Sequence, residues 1–161
     1  MSHPNVSLTN FRTKIVRFTP VVDTSAYAAN DVLFDTTAVS LSNNTTAGAR
    51  GTILTASIID RDDEASQTIT LYFLRSNVSL GTINAAPSIT DDNAAEIIGT
   101  CTVTTGTDLG GCKYGETSGL VLPFELPAQN LFVAATTGGT PTFTNASDIR
   151  VRLSLQLESP L

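Results

Sequence analysis

The sequence predicts an all-β protein: a single antiparallel β-sandwich, jelly-roll-like, with about eight strands and at most one short helix. Three observations carry this expectation. Strand-like runs alternate with turn signals about every 8–12 residues, the rhythm of sandwiches. The stretch "DIRVRLSLQLES" alternates strictly, with Ile149, Val151, Leu153, Leu155 and Leu157 on one side and Arg150, Arg152, Ser154, Gln156 and Glu158 on the other. Charged residues make up only 15% of the chain, and Thr, Ser, Ala and Asn fill the gap. Globular proteins usually carry about 25%.

The 161 residues suit one domain with a sizeable core. Residues 1–19 stand apart as an extended basic N-terminal arm or edge strand, and residues 20–161 form the sandwich domain. "NFRTKIVRFTP" holds Arg12, Lys14 and Arg17, three of the nine basic residues. Pro20 ends it, because proline lacks a donor and holds Thr19 extended. A strand follows at 32–41, interrupted by Asp35, Thr36 and Thr37. Residues 43–51, "NNTTAGARG", read as a polar loop. The run 52–60 is rich in β-formers. Residues 67–76 alternate, with Ile69, Leu71 and Phe73 on one face and Thr70, Tyr72 and Leu74 on the other. Neither face is purely polar, so this strand is expected to be covered on both sides, by the sandwich and by a partner subunit. "SITDDNAAEIIG" offers a short helix capped by Thr90 and stopped at Gly99. Strands are then expected at 97–105, at 120–126 with stops at Pro123 and Pro127, at 131–135, and at the alternating C-terminal stretch.

Net charge is −6 and the pI is about 4.5. A negative surface repels phosphate backbones and anionic lipid, so neither nucleic acid nor membrane is an expected partner. The first residues show no basic start followed by an apolar run, and no stretch approaches the roughly 18 apolar residues of a membrane span. The chain is expected to fold in a cytoplasm.

Motifs for catalysis are sparse. The one histidine is His3, and the only lysines are Lys14 and Lys113. No nucleotide-binding loop and no His/Cys metal spacing appears. No Trp is available for a carbohydrate platform, although Tyr27, Tyr72 and Tyr114 remain. Neither an enzyme nor a cofactor is expected. "IIDRDDEASQ" raises one metal reading. Asp60, Asp62 and Glu64 share the spacing with which a calcium loop begins, and in an extended segment they would line one side. The glycine and distant glutamate of such a loop are missing. The simpler reading is a hydrated acidic corner over 60–67, supplying negative surface. In "CTVTTGTDLGGC", a hairpin turning at Gly106 and Thr107 would set Cys101 opposite Cys112, where a disulfide fits. A chain folded in reducing cytosol keeps both as thiols.

"VVDTSAYAANDVL", "GTILTASIIDRDDEASQTITLYFL", "ITDDNAAEIIGTCTV" and "LVLPFELPAQNLFVAATTGGTPTFTNASDIRVRLSLQL" together resemble an uncharacterised family of virion structural proteins from tailed bacteriophages. They cover most of residues 21–157 in order. The resemblance implies a virion component, a head decoration or cement protein, and carries no active site. The chain departs from the family at "CTVTTGTDLGGCKYGE", with its cysteine pair.

The expected function is therefore non-enzymatic: binding the capsid shell from outside and stabilising it, after assembly in the host cytoplasm. The expected partners are the major capsid protein and further copies of the chain, as a homotrimer or homodimer. Arg12, Lys14, Arg17 and Arg50 are candidate capsid contacts, with loops at 43–51, 105–116 and 136–142. The alternative is a tail or fibre-tip adhesion module that binds host-surface glycan or protein.

Overall fold

The computed structural model describes residues 10–41 and 48–159. His3 and the stretch 42–47, which holds most of the 43–51 loop, lie outside the described residues. The elements are β1 (Asn10–Phe18), β2 (Val32–Ser40), β3 (Arg50–Asp60), β4 (Thr68–Leu74), α1 (Asp91–Ala94), β5 (Ile97–Thr104), β6 (Thr107–Asp108), β7 (Lys113–Glu125), β8 (Asn130–Thr137) and β9 (Ile149–Ser159). One sheet has the order β1-β9-β3-β7-β6, the other β2-β8-β4-β5, and every pairing is antiparallel. With the two-residue β6 set aside, this is the strand order of an eight-stranded jelly roll.

Alternation builds the core. Ile53, Ala56 and Ile58 of β3 and Leu153, Leu155 and Leu157 of β9 line the inner face of the five-stranded sheet. Ile69, Leu71 and Phe73 of β4 and Leu131, Val133 and Ala135 of β8 line the inner face of the other. All are at most barely accessible and form one cluster. The strand expected at 32–41 is β2, and its Asp35–Thr37 interruption coincides with register shifts against β8 between Val32 and Thr37.

The sandwich closes differently along its two sides. On one side β5 meets β7: the Thr117 hydroxyl donates to the Thr102 carbonyl, and a Cβ at Gly115 would stand 2.2 Å from the Thr104 carbonyl oxygen. Only glycine permits that approach. On the other side β1 meets β2 at one end, where Phe18 and Phe34 stack edge to face with centroids 6.3 Å apart.

Each sheet also has an outer face. That of β2-β8-β4-β5 is covered by the chain's own residues 75–96. Val32, Leu74, Leu80 and Ala134 form a second buried cluster, and Val78, Ile89, Tyr72, Ile97 and Phe132 pack against it. Asp35 ties this cap to β2, its carboxylate accepting from the Leu80 amide at 2.7 Å and the Ser79 hydroxyl at 2.6 Å. The covering partner expected over Tyr72 and Leu74 is thus an intramolecular segment. α1 belongs to the cap, and Thr90 Oγ1 accepts from the Asn93 amide at 3.3 Å. The helix ends long before Gly99, because Ile97 already pairs with Leu74 in β5.

Several expected boundaries move. β7 begins at Lys113 and runs through Pro123. Proline is tolerated there because β7 pairs with β6 only at Tyr114 and Lys113, so most of its other edge is open. Residues 10–18 are an edge strand paired with β9 along their whole length, and Val16 reaches the core. These described residues are the edge strand that was one of the two readings of 1–19, and they pack as part of the sandwich.

Candidate functional site

The outer face of the five-stranded sheet has no such cap among the described residues. Register fixes what it displays. Arg17 lies opposite Arg152, Arg152 opposite Ser57, and Ser57 opposite Glu116. In the next row Arg150 lies opposite Ile59, and Ile59 opposite Tyr114. Alternation brings Ile15 and Phe11 to the same face of β1 as Arg17. Their exposures, 44% and 56%, are high for such side chains. Around the arginine rows lies a groove of about 330 Å³ lined by Arg17, Phe18, Thr19, Ser57, Ile59, Tyr114, Arg150, Val151 and Arg152.

Electrostatics single this groove out. Five of the nine basic residues stand on β1 and β9, two adjacent strands. Among the described residues, Arg17, Arg150 and Arg152 make no ion pair or side-chain hydrogen bond. Lys113 and Arg50, cations of the same sheet, are paired. Lys113 Nζ lies 3.2 Å from Asp63 and 3.1 Å from Asp108, and these two carboxylates, Asp108 first, raise its pKa. Arg50 pairs with Glu125. The Tyr114 hydroxyl donates to Glu116, which together with burial raises the phenol pKa, and Arg152 partly opposes that rise. Directly opposed like charges destabilise a sheet. The Arg17–Arg152 pair therefore costs the isolated fold stability, a feature typical of sites kept for binding.

The four candidate contacts separate. Arg17 stands in the groove. Arg12 and Lys14 share the parity of Val16, so they lie on the opposite side of β1. Desolvation, then the charge of Arg12, lowers the Lys14 pKa. Arg50 is seven residues from Ser57 along β3, roughly 23 Å at 3.3 Å per residue. Beside Arg17 the groove is lined by Arg150 and Arg152, which the sequence reading did not single out. Their wet orientation was visible in the alternation, but their place beside Arg17 depends on a pairing between the two ends of the chain.

The acidic corner is also rearranged. Asp60, Asp62 and Glu64 do not line one side. Asp60 is fully buried at the inner end of β3, and Gln67 is buried too. Asp60 Oδ1 accepts from the Asp62 amide at 3.0 Å, while Oδ2 has no hydrogen-bond partner among the described residues. The Gln67 amide is near enough to favour the carboxylate, yet its Nε2 falls outside hydrogen-bond geometry. Desolvation dominates and raises the Asp60 pKa, with the Glu64 and Asp62 charges adding to the rise. Asp62 turns to Thr144, accepting from its amide at 2.8 Å and its hydroxyl at 3.1 Å. Asp63, at φ 57°, reaches Lys113. No group of three or more metal-ligating side chains converges among the described residues.

The hairpin that would set Cys101 opposite Cys112 does not form. β5 and β7 belong to different sheets, and the chain crosses between them at residues 105–106. The tight turn comes later, where the Leu109 amide donates to the Cys112 carbonyl. Both thiols are free; Cys101 is buried, which pushes its pKa up to about 11. Of the three tyrosines, Tyr27 is buried, its hydroxyl donating to the Leu33 carbonyl at 3.0 Å, and burial raises its pKa to about 12. Tyr72 lies under the cap. Only Tyr114 lines the groove.

No protein-family model and no curated protein matches the chain. Among solved structures, it is similar to a chain of Desmodium yellow mottle tymovirus, with a TM-score of 0.31 and 12% identity over 100% of this chain and 94% of that one. A score of that size lies below shared topology, so the likeness bears on neither fold nor function.

Proposed function

We propose that the chain is a non-enzymatic structural protein of a tailed-bacteriophage virion, a decoration or cement protein that docks on the outside of the capsid shell and stabilises it. The docking surface in this reading is the bare outer face of β1-β9-β3-β7. One observation carries it: an acidic protein places three guanidiniums without partners among the described residues, two of them directly opposed, beside exposed Ile15 and Ile59, with exposed Phe11 further along the same face of β1. Arginine and aromatic residues are enriched where protein interfaces bind most strongly. The resemblance to virion proteins supplies the partner, the major capsid protein. A shell offers many copies of one site, so modest contacts add through avidity, and a homodimer or homotrimer would multiply them.

The test is sedimentation of purified protein with capsids stripped of it. Saturable co-sedimentation is expected, weakened by raised salt and by Arg17→Glu with Arg152→Glu. Protein that stays in the supernatant at all ratios contradicts the reading. Binding to host cells or glycans in its place would move the protein to the tail or fibre tip.

A further inference from the structure

β1 is the edge of its sheet. Its backbone bonds go to β9, and its other side has no backbone partner among the described residues. Natural edges of this length are usually blunted or covered. The strand carries Arg12, Lys14 and Arg17 and no acid. Pairing with β1 of a second copy would set two strands with three basic residues each and no acid side by side, so the charge selects against self-pairing. It selects for an opposite partner. A strand added beside β1 would present alternate side chains to the outer face, opposite Phe11, Thr13, Ile15, Arg17 and Thr19 in turn.

We infer that the β1 edge receives an extended acidic segment of the partner protein as an additional antiparallel strand, with its carboxylates over Arg17, Arg152 and Arg150 and its apolar residues beside Ile15 and Phe11. Main-chain hydrogen bonds would give the segment its register, and the alternate side chains its specificity. A carboxylate suits a guanidinium through two parallel hydrogen bonds, which three arginines within two adjacent rows, unpaired among the described residues, can offer. This deepens the docking reading above by naming what the surface takes, and it rests on that reading for the partner's location.

The experiment uses the full chain and a capped peptide as long as β1. The peptide alternates Thr with outer-face residues: apolar opposite Phe11 and Ile15, Glu opposite Arg17, Asp opposite Thr19. Binding is followed by calorimetry and by amide hydrogen exchange. Expected results are salt-sensitive binding, new protection confined to β1 amides, and loss by about tenfold or more for Arg17→Gln with Arg152→Gln. Methylating alternate backbone nitrogens of the peptide on its β1-facing edge should abolish binding to the native chain. A peptide with Lys in place of the acids should not bind. No binding of the acidic peptide, equal binding of the Lys peptide, or binding that survives backbone methylation would each overturn the inference. Capsid co-sedimentation that persists while the peptide fails would leave the docking reading standing and remove only the acidic strand. Peptide binding without capsid binding would do the reverse.

Discussion

The two outer faces of this sandwich solve one problem in two ways. A sheet with apolar residues on both faces must cover the second face. The β2-β8-β4-β5 sheet does so with its own chain: Leu80 closes over Leu74, Val32 and Ala134, and Asp35 fastens the segment down. The β1-β9-β3-β7 sheet leaves Phe11, Ile15 and Ile59 exposed and adds three arginines without partners among the described residues. The difference separates stability from binding. The capped face serves the fold, and in the proposed reading the bare face keeps its apolar and charged side chains for a contact.

The comparison is broken most strongly at the cap. Leu80→Ala should destabilise the protein by about 2–5 kcal/mol, since a buried leucine loses both its transfer energy and its packing. Urea unfolding checks it. A loss below 1 kcal/mol, on the order of a surface change, would mean the cap contributes little. Asp35→Ala should cost about 1–2 kcal/mol by releasing two charge-assisted hydrogen bonds, with amide exchange rising first at Leu80.

Asp60 belongs to neither face and gives the pH dependence. Its folded pKa is raised by burial, so the native state takes up this proton more readily than the unfolded chain. Stability from Asp60 is fully present below the unfolded carboxyl value, about 3.9, and is lost as pH rises through the folded pKa. Asp23 and Asp108 shift the opposite way, held down by the backbone amides of Ser25 and Gly110. The difference between the native chain and Asp60→Asn isolates the buried group. The native chain should lose stability relative to the variant as pH rises across that window. Parallel curves would contradict a buried, destabilised carboxylate.

The smallest effects belong on the bare face. Ile59→Ala should change stability by no more than about 0.5 kcal/mol. Arg152→Gln should leave stability unchanged or raise it by at most about 0.5 kcal/mol, because it removes an opposed like charge. The same Arg152→Gln should weaken capsid binding. Opposite signs for stability and binding are what a merely structural arginine would not give.

Much of this fold was legible in the chain. The alternation of β9, the interruption in β2 and the Thr90 cap are local signals, and they appear where the residues place them. What was not legible is nonlocal. Tyr72 and Leu74 announced a covered face, but nothing in the heptad around them says whether a partner or residues 75–96 cover it. Arg17 and Arg152 lie 135 positions apart, and only the pairing of the first long strand with the last makes them neighbours. Asp60 looked like the start of a wet turn because its neighbours are charged, yet strand parity carries it inward behind Ile58. Pro123 looked like a stop because only topology reveals that β7 has an open edge there. From sequence, residues 1–19 read as an arm or an edge strand. Their described part pairs with β9, so removing it would take one of the two neighbours of β9 and remove Val16 and Phe18 from the core.

Amide hydrogen exchange of the chain free and bound to capsids stripped of it tests the central claim most directly. The bare-face account expects new protection in β1 and β9 on binding, with residues 78–90 of the cap unchanged. New protection in the cap or in the loops at 105–112 and 138–142, with β1 and β9 unchanged, would contradict it.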